Sequence, residues 1–265
     1  MNDADSVQAA LAAALRSGSA VARCTVVASE VEEIEVAAEL AVRPGADVVG
    51  ARGDAELDRV VARDAEGLVR QGLTERRHYG PHGEARRADV TVFIECHAPA
   101  PRLVVFGAVD FSRALVQVGS VLGYHTTVCD PRPAFSTTDR FPEADEVVVD
   151  WPDRYLDRQE LDERSVICVL THDPKMDVPA LQAAVRTSAG YIGAMGSRRT
   201  TEERRRRLVE MGMDAGQLAR IHAPIGLDIG PTTAEETALA ILAEVVALRS
   251  GRSGRPLRDG DGPIH

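Results

Sequence analysis

Over residues 102–250 the chain alternates short apolar runs with longer stretches of helical period. "RLVVF", "TTVC", "EVVV", "SVICVL" and "AGYIGA" read as strands, and segments at about 110–122, 153–160, 177–186 and 200–211 read as helices. Strand and helix at this spacing predict a parallel, doubly wound α/β sheet, Rossmann-like, with helices on both faces. A last helix, "AEETALAILAEVVALRS", is framed by a capping box of Thr233 and Glu236 and stopped by Gly251.

The first hundred residues follow a different pattern. Ser6 is placed to cap a helix "VQAALAAALRS" that Gly18 ends, and "AVARCTVVA" is a strand. "EIEVAAELAV" leads through the turn "RPGAD" to a short strand, and a helix runs from about Asp54 to Arg70. "LTERRHY", the turn "GPHGE" and "DVTVFIE" form a hairpin. The closely spaced prolines of "HAPAPR" at 97–102 break regular structure. Three parts are therefore expected: a smaller α+β domain over 1–98, the Rossmann-like domain over 101–250, and a polar, glycine-rich tail over 251–265. No internal repeat is visible.

Charge narrows the partners. With 31 basic and 41 acidic residues the net charge is −10, a surface that repels polyanions, so nucleic acid is not an expected partner. Lys175 is the only lysine among the basic residues, which lowers the signal carried by any single arginine. Cys24, Cys96, Cys129 and Cys168 lie far apart in apolar runs without a C-x-x-C pair, and read as reduced thiols filling a core. Neither a signal-peptide pattern nor an apolar run of membrane-spanning length is present, so a cytoplasmic location and no membrane contact are expected.

Four loops carry candidate chemistry. In "VVFGAVDFS" Gly107 turns strand into helix, but the dinucleotide fingerprint G-x-G-x-x-G is not kept: Val109 stands where the second glycine would admit a pyrophosphate, and Asp110 would repel it. Asp130, 23 residues after Gly107, is nevertheless placed where an acidic residue holds an adenosine ribose. "LTHDPKMD" puts Thr171, His172, Asp173 and Lys175 at a strand's carboxyl end: an acid/base imidazole, a carboxylate to orient it, and a cation for an anion, although a capping turn with Pro174 also accounts for Asp173. "YIGAMGSRR" offers Gly193, Met195, Gly196, Ser197, Arg198 and Arg199 as an anion cradle at a helix start, where Thr200 and Glu203 also form a capping box and Arg204 to Arg207 read as a solvated face. The irregular loop "IHAPIGLDIGPTT" adds His222, Gly226 and Asp228, a tightly packed connection being the alternative. No catalytic residue is assigned beyond the candidates His172 and Asp173, and no metal ligand set is read. Cys129 and Cys168, near strand ends, are the thiols placed to meet a soft metal.

Taken in order, "FGAVDFSRAL", "TTVCDPRPAF", "RFPEADEVVVDWP", "LTHDPKMD", "YIGAMGSRRT" and "HAPIGLDIGPTTAEETALAILAEV" resemble the XdhC/CoxI family, accessory factors of molybdenum hydroxylases such as xanthine dehydrogenase; the tail "GRPLRDGDGPIH" is similar to that of one branch. The resemblance implies a chaperone that binds molybdenum cofactor, as molybdopterin or its dinucleotide form, protects it while its terminal sulfur is installed, and delivers it to the apo-hydroxylase subunit. Further partners that it suggests are a cysteine desulfurase or another sulfur donor, and a second copy of the chain. Two departures stand out. Family members carry "SGGC" and later "CGG" loops where this chain reads "ARGD" at 51–54 and "RRAD" at 86–89, so both cysteines are missing. Many relatives also have "GAGHVA" where this chain has "GAVDFS". Two other functions remain open from the residues alone: an NAD(P)-dependent oxidoreductase using Asp130 and His172, and a non-catalytic interaction protein.

Overall fold

The structure is a computed structural model that describes residues 3–46, 48–51 and 53–260. The backbone separates into two compact units, one ending at Pro99 and one beginning at Ala100.

In the first unit, helix α1 (Asp3–Ser17) precedes strands β1 (Val21–Ser29), β2 (Glu39–Val42) and β3 (Val49–Gly50), then helix α2 (Ala55–Gln71) and strands β4 (Glu75–Tyr79) and β5 (Val90–His97). The strands form one antiparallel sheet in the order β3-β2-β1-β5-β4. Helix α2 buries Leu57, Val61, Ala65 and Leu68, spaced to share one face, against Cys24, Leu40, Val92 and Ile94. Asp54 caps it, accepting a bond from the Leu57 amide, and Gly72 ends it in the left-handed conformation. Helix α1 starts at Asp3, so Ser6 lies inside it rather than capping it, while Gly18 does end it with φ +66°. Of the "ARGD" segment Arg52 lies outside the described residues, as does 261–265 of the tail.

The second unit holds strands β6 (Arg102–Phe106), β7 (His125–Cys129), β8 (Glu146–Val148), β9 (Val166–Val169), β10 (Tyr191–Ala194) and β11 (Ile221–His222). All pair in parallel, in the order β11-β10-β9-β6-β7-β8. This is the doubly wound order, and its reversal between β6 and β9 puts the topological switch point, where such sheets bind ligands, at their carboxyl ends. Helices α3 (Asp110–Val121) and α8 (Ala234–Arg249) cover one face, where Leu103, Val105, Leu115, Ile241 and Val245 pack together. Helices α4 (Pro152–Leu156), α5 (Pro174–Ala184), α6 (Arg198–Glu210) and α7 (Ala215–Ala219) cover the other, around Phe106, Ile167, Leu181 and Leu208. Strands buried on both faces explain why β6 and β9 read as unbroken apolar runs. The expected Thr233–Glu236 capping box starts α8. Segment 252–260 lies against α8, where Pro256 and Leu257 help line an apolar groove of about 730 Å³.

Candidate functional site

Each strand of the second sheet delivers its following loop to one rim, and four adjacent strands, β7, β6, β9 and β10, bring together most of the loops singled out in the sequence.

At the first turn Gly107 has φ +109°, and a side chain there would meet Thr171 Cγ2 at 2.8 Å and the Thr171 backbone nitrogen at 3.2 Å. The glycine is thus required by the close approach of the β6 and β9 loops. The Ala108 amide donates to Asp130 Oδ2 at 2.8 Å, and Arg132 donates to the same carboxylate through its backbone amide (3.0 Å), Nε (2.9 Å) and Nη2 (2.7 Å). Asp130 is fully buried. Burial pushes its carboxyl up, but the Arg132 guanidinium and the Ala108 and Arg132 amides outweigh that and hold it below the usual range. The acidic side chain placed to hold a ribose is therefore saturated by its own chain, and it consumes an amide of the turn that a pyrophosphate would use. Ser112, also buried, donates its hydroxyl to the Gly107 carbonyl. Val109 caps α3 with no side-chain bond, and Asp110 is exposed beside Arg140.

On the β9 side of the switch point, Asp173 caps α5, its carboxylate accepting the Lys175 amide at 2.9 Å with Pro174 at the first helical position. Asp173 therefore starts a helix and, among the described residues, makes no bond to His172, which favours the capping reading over the paired acid/base one. His172 and Lys175 are exposed at the rim. The field of Asp173 adds to that of Asp130 in favouring the charged Arg132, so the β7 and β9 loops sense one another across the switch point.

Thr171 is buried, and its hydroxyl donates to Asp177 Oδ1. Asp177, 2 % exposed, is paired through Oδ2 with Arg204 Nη2 at 2.8 Å, and the same Nη2 donates to the Met195 carbonyl at 2.9 Å. Burial pushes the Asp177 carboxyl up, opposed by the Thr171 hydroxyl and the Arg204 guanidinium. Thr171, Asp177 and Arg204 thus tie the loop after β9 to the loop after β10. Arg204 is a functional candidate that the arginine run conceals: it is buried, whereas Arg205, Arg206 and Arg207 are exposed. The signal available in sequence is its position one turn before the apolar Leu208, which puts both on one helix face. Helix α6 starts at Arg198 with Ser197 as its cap, accepting the Thr200 amide at 3.1 Å, so the Thr200–Glu203 capping box is not formed.

The remaining expected site residues have different surroundings. Gly193 is buried in β10 beneath Ile225, and a side chain there would overlap it. His222 pairs in register with Gly193, stacks on Tyr191 at 4.8 Å, and holds Nδ1 3.6 Å from Glu244 Oε1. Glu244 also accepts from the Tyr191 hydroxyl (2.5 Å) and the Gly226 amide (2.8 Å). Burial acts to raise its pKa, yet the His222, Tyr191 and Gly226 bonds bring it below the usual range. Gly226, with φ +98°, packs on the α8 backbone. Packing accounts for these three residues. Asp228 is exposed beyond β11 and makes no bond to the rim loops among the described residues.

Burial pushes the Cys129 thiol up to about 12, and the Cys168 thiol is raised further, so both are protonated near neutral pH. Among the described residues no cluster of three histidine, cysteine or carboxylate side chains is placed to hold a metal. No described helix is long and apolar enough to cross a membrane.

A doubly wound sheet with a departed first turn and a polar rim defines a Rossmann-type binding domain, and comparison with known proteins places it more narrowly. The XdhC Rossmann domain matches residues 103–245, so the chain belongs to the XdhC family. It is 29 % identical over 228 residues to the uncharacterised protein YqeB of Escherichia coli K12, covering 82 % of this chain and 41 % of that protein. It is 28 % identical over 193 residues to a Bacillus subtilis 168 protein named as a probable xanthine dehydrogenase subunit, covering 67 % and 56 %. It is also 28 % identical over 151 residues to the molybdenum cofactor insertion chaperone PaoD of E. coli K12, covering 57 % and 41 %. The chain therefore spans about half the length of these relatives. A crystal structure described as a xanthine dehydrogenase from Bacillus halodurans shares the fold over 98 % of both chains, with TM-score 0.51 and 18 % identity.

Proposed function

We propose that this chain binds molybdenum cofactor as cargo and passes it to a molybdenum hydroxylase of the xanthine dehydrogenase type, acting as a maturation factor rather than a catalyst. Family membership and a relative named as a molybdenum cofactor insertion chaperone support the assignment. The observation that carries it is the remodelled switch point. The strand order puts a switch point at β6 and β9, yet Asp130 and Arg132 fill the first turn, and His172, Lys175, Arg198 and Arg199 are exposed on the β9 and β10 loops. That arrangement fits a ligand other than a dinucleotide in its usual pose.

The cargo combines a pterin, a dithiolene-bound metal and a phosphate or pyrophosphate end. Ser197, Arg198 and Arg199, at the start of α6, would take the anionic end through helix amides and cationic side chains. His172 and Lys175, exposed on the neighbouring loop, would meet the polar pterin end. The metal would be shielded within the cargo's own ligands, in keeping with protonated cysteines and with the loss of both family thiols. A sulfur donor and the recipient apo-hydroxylase are the partners this role requires.

The test is to purify the full chain from a host that makes the cofactor, then measure bound molybdenum and the fluorescent oxidation products of its pterin. Near-stoichiometric pterin is expected. Preparations that carry NAD or NADP and no pterin would overturn the assignment in favour of an oxidoreductase.

A further inference from the structure

We infer that the turn between β10 and α6 seats a phosphate or pyrophosphate group, and that Arg204 reaches that group from beneath the turn. The guanidinium is 5 % exposed, and its Nη2 is already bonded to Asp177 Oδ2 and the Met195 carbonyl. Among the described residues Nη1 has no hydrogen-bond partner. Buried polar groups in folded proteins are nearly always bonded, and one on a charged side chain is among the costliest to leave unsatisfied.

A glycine packs over it. A Cβ placed on Gly196 would stand 3.7 Å from Arg204 Nη1 and 3.3 Å from Thr200 Cβ and Cγ2, and φ of +154° disfavours any side chain there. Beside Gly196 lie Ser197 and the start of the 13-residue helix α6. The Arg198 and Arg199 amides precede the first intrahelical acceptors and carry the positive end of the helix dipole. Exposed Arg198 and Arg199 add charge. A cationic nitrogen beneath the glycine and helix amides beside it match a group with oxygens in more than one direction. Asp177 balances the charge of Arg204 and Glu203 that of Arg199, so the net positive potential comes from the helix start and Arg198, which favours a doubly charged phosphate over a single carboxylate.

The inference deepens the maturation role by naming the end of the cargo that this turn takes. It also links the two loops, because an oxygen that engages Nη1 acts on the same guanidinium that orders Asp177 and, through it, Thr171.

Calorimetric titration of the full chain with sodium pyrophosphate, and separately with inorganic phosphate, provides the test, with sulfate at matched ionic strength as the control. Saturable binding is expected. Gly196→Ala, which keeps the Arg204–Asp177 pair, should weaken it at least roughly tenfold, the loss of one charge-assisted hydrogen bond. Arg204→Lys should do the same, with circular dichroism melting to verify its fold, while Arg132→Ala should stay within about twofold because its side chain is committed to the other turn. Tighter binding of pyrophosphate points to a dinucleotide cargo, and tighter binding of phosphate to a monoester. Absence of saturable binding to the wild type, or equal binding by Gly196→Ala, overturns the inference. Pterin that co-purifies despite such a result would leave the maturation role standing; pyrophosphate binding without co-purified pterin would do the reverse.

Discussion

The turns that follow β6 and β10 are made from the same parts: a buried parallel strand, a glycine at positive φ, and a helix opening onto the carboxyl rim. In the first, the groups at the heart of the turn bond to one another, as Asp130 gathers the Ala108 amide and three Arg132 donors and Ser112 donates to the Gly107 carbonyl. In the second, an arginine is buried under the glycine with one nitrogen unbonded. A strand–glycine–helix turn is therefore not a binding site by geometry alone. What decides its use is whether neighbouring side chains fill the donors and acceptors it presents.

Substitutions separate the two turns. The largest effect is expected from Arg204→Met, which leaves Asp177 buried without its cation and should cost about 3 kcal/mol or more in urea unfolding. A second variant that also replaces Asp177 with leucine should recover part of that loss, since it removes the stranded carboxylate. An additive double mutant would show that the pair is not coupled. Gly107→Ala forces a side chain into Thr171 at an unfavourable φ, and about 2 kcal/mol is expected. Gly196→Ala meets only 3.3 Å contacts, so its stability loss should be smaller although its effect on anion binding is larger.

Asp130→Asn sharpens the contrast through pH. Because the folded pKa of Asp130 is depressed, its contribution is present above the unfolded carboxylate value and is lost as pH falls through the folded one. The variant should therefore be less stable than wild type by about 1.5–2 kcal/mol near pH 7. The difference should close below about pH 4; a gap that persists in acid would mean that packing, not charge, holds the turn. Asp173→Ala, which removes only the α5 cap, should cost about 1 kcal/mol by the same urea measurement.

Much of this is legible in the chain. The five apolar runs mark strands β6 to β10, because parallel strands buried on both faces lose alternation and stand out from helical period. β11 and α7 escape such a reading, being two and five residues long and too short to show a period. The first turn's departure at Val109 is visible, but its sealing is not: nothing in "CDPRP" indicates that Arg132 folds back on Asp130. At the other turn the glycine and Ser197 read as a cradle, while Arg204 is hidden among four consecutive arginines whose other members are exposed. Asp228, which stands out because its loop is irregular, is exposed and bonds to none of the other rim loops among the described residues; the irregularity is explained by the packing of Ile225 on Gly193 and of Gly226 on α8.

Crystals of the full chain grown with pyrophosphate would test most directly which turn takes the anion. Density bonded to Arg204 Nη1 at about 2.8 Å, and to the amides that open α6, is the predicted result. Density instead at the Ala108 amide, with Arg132 swung away from Asp130, would contradict it.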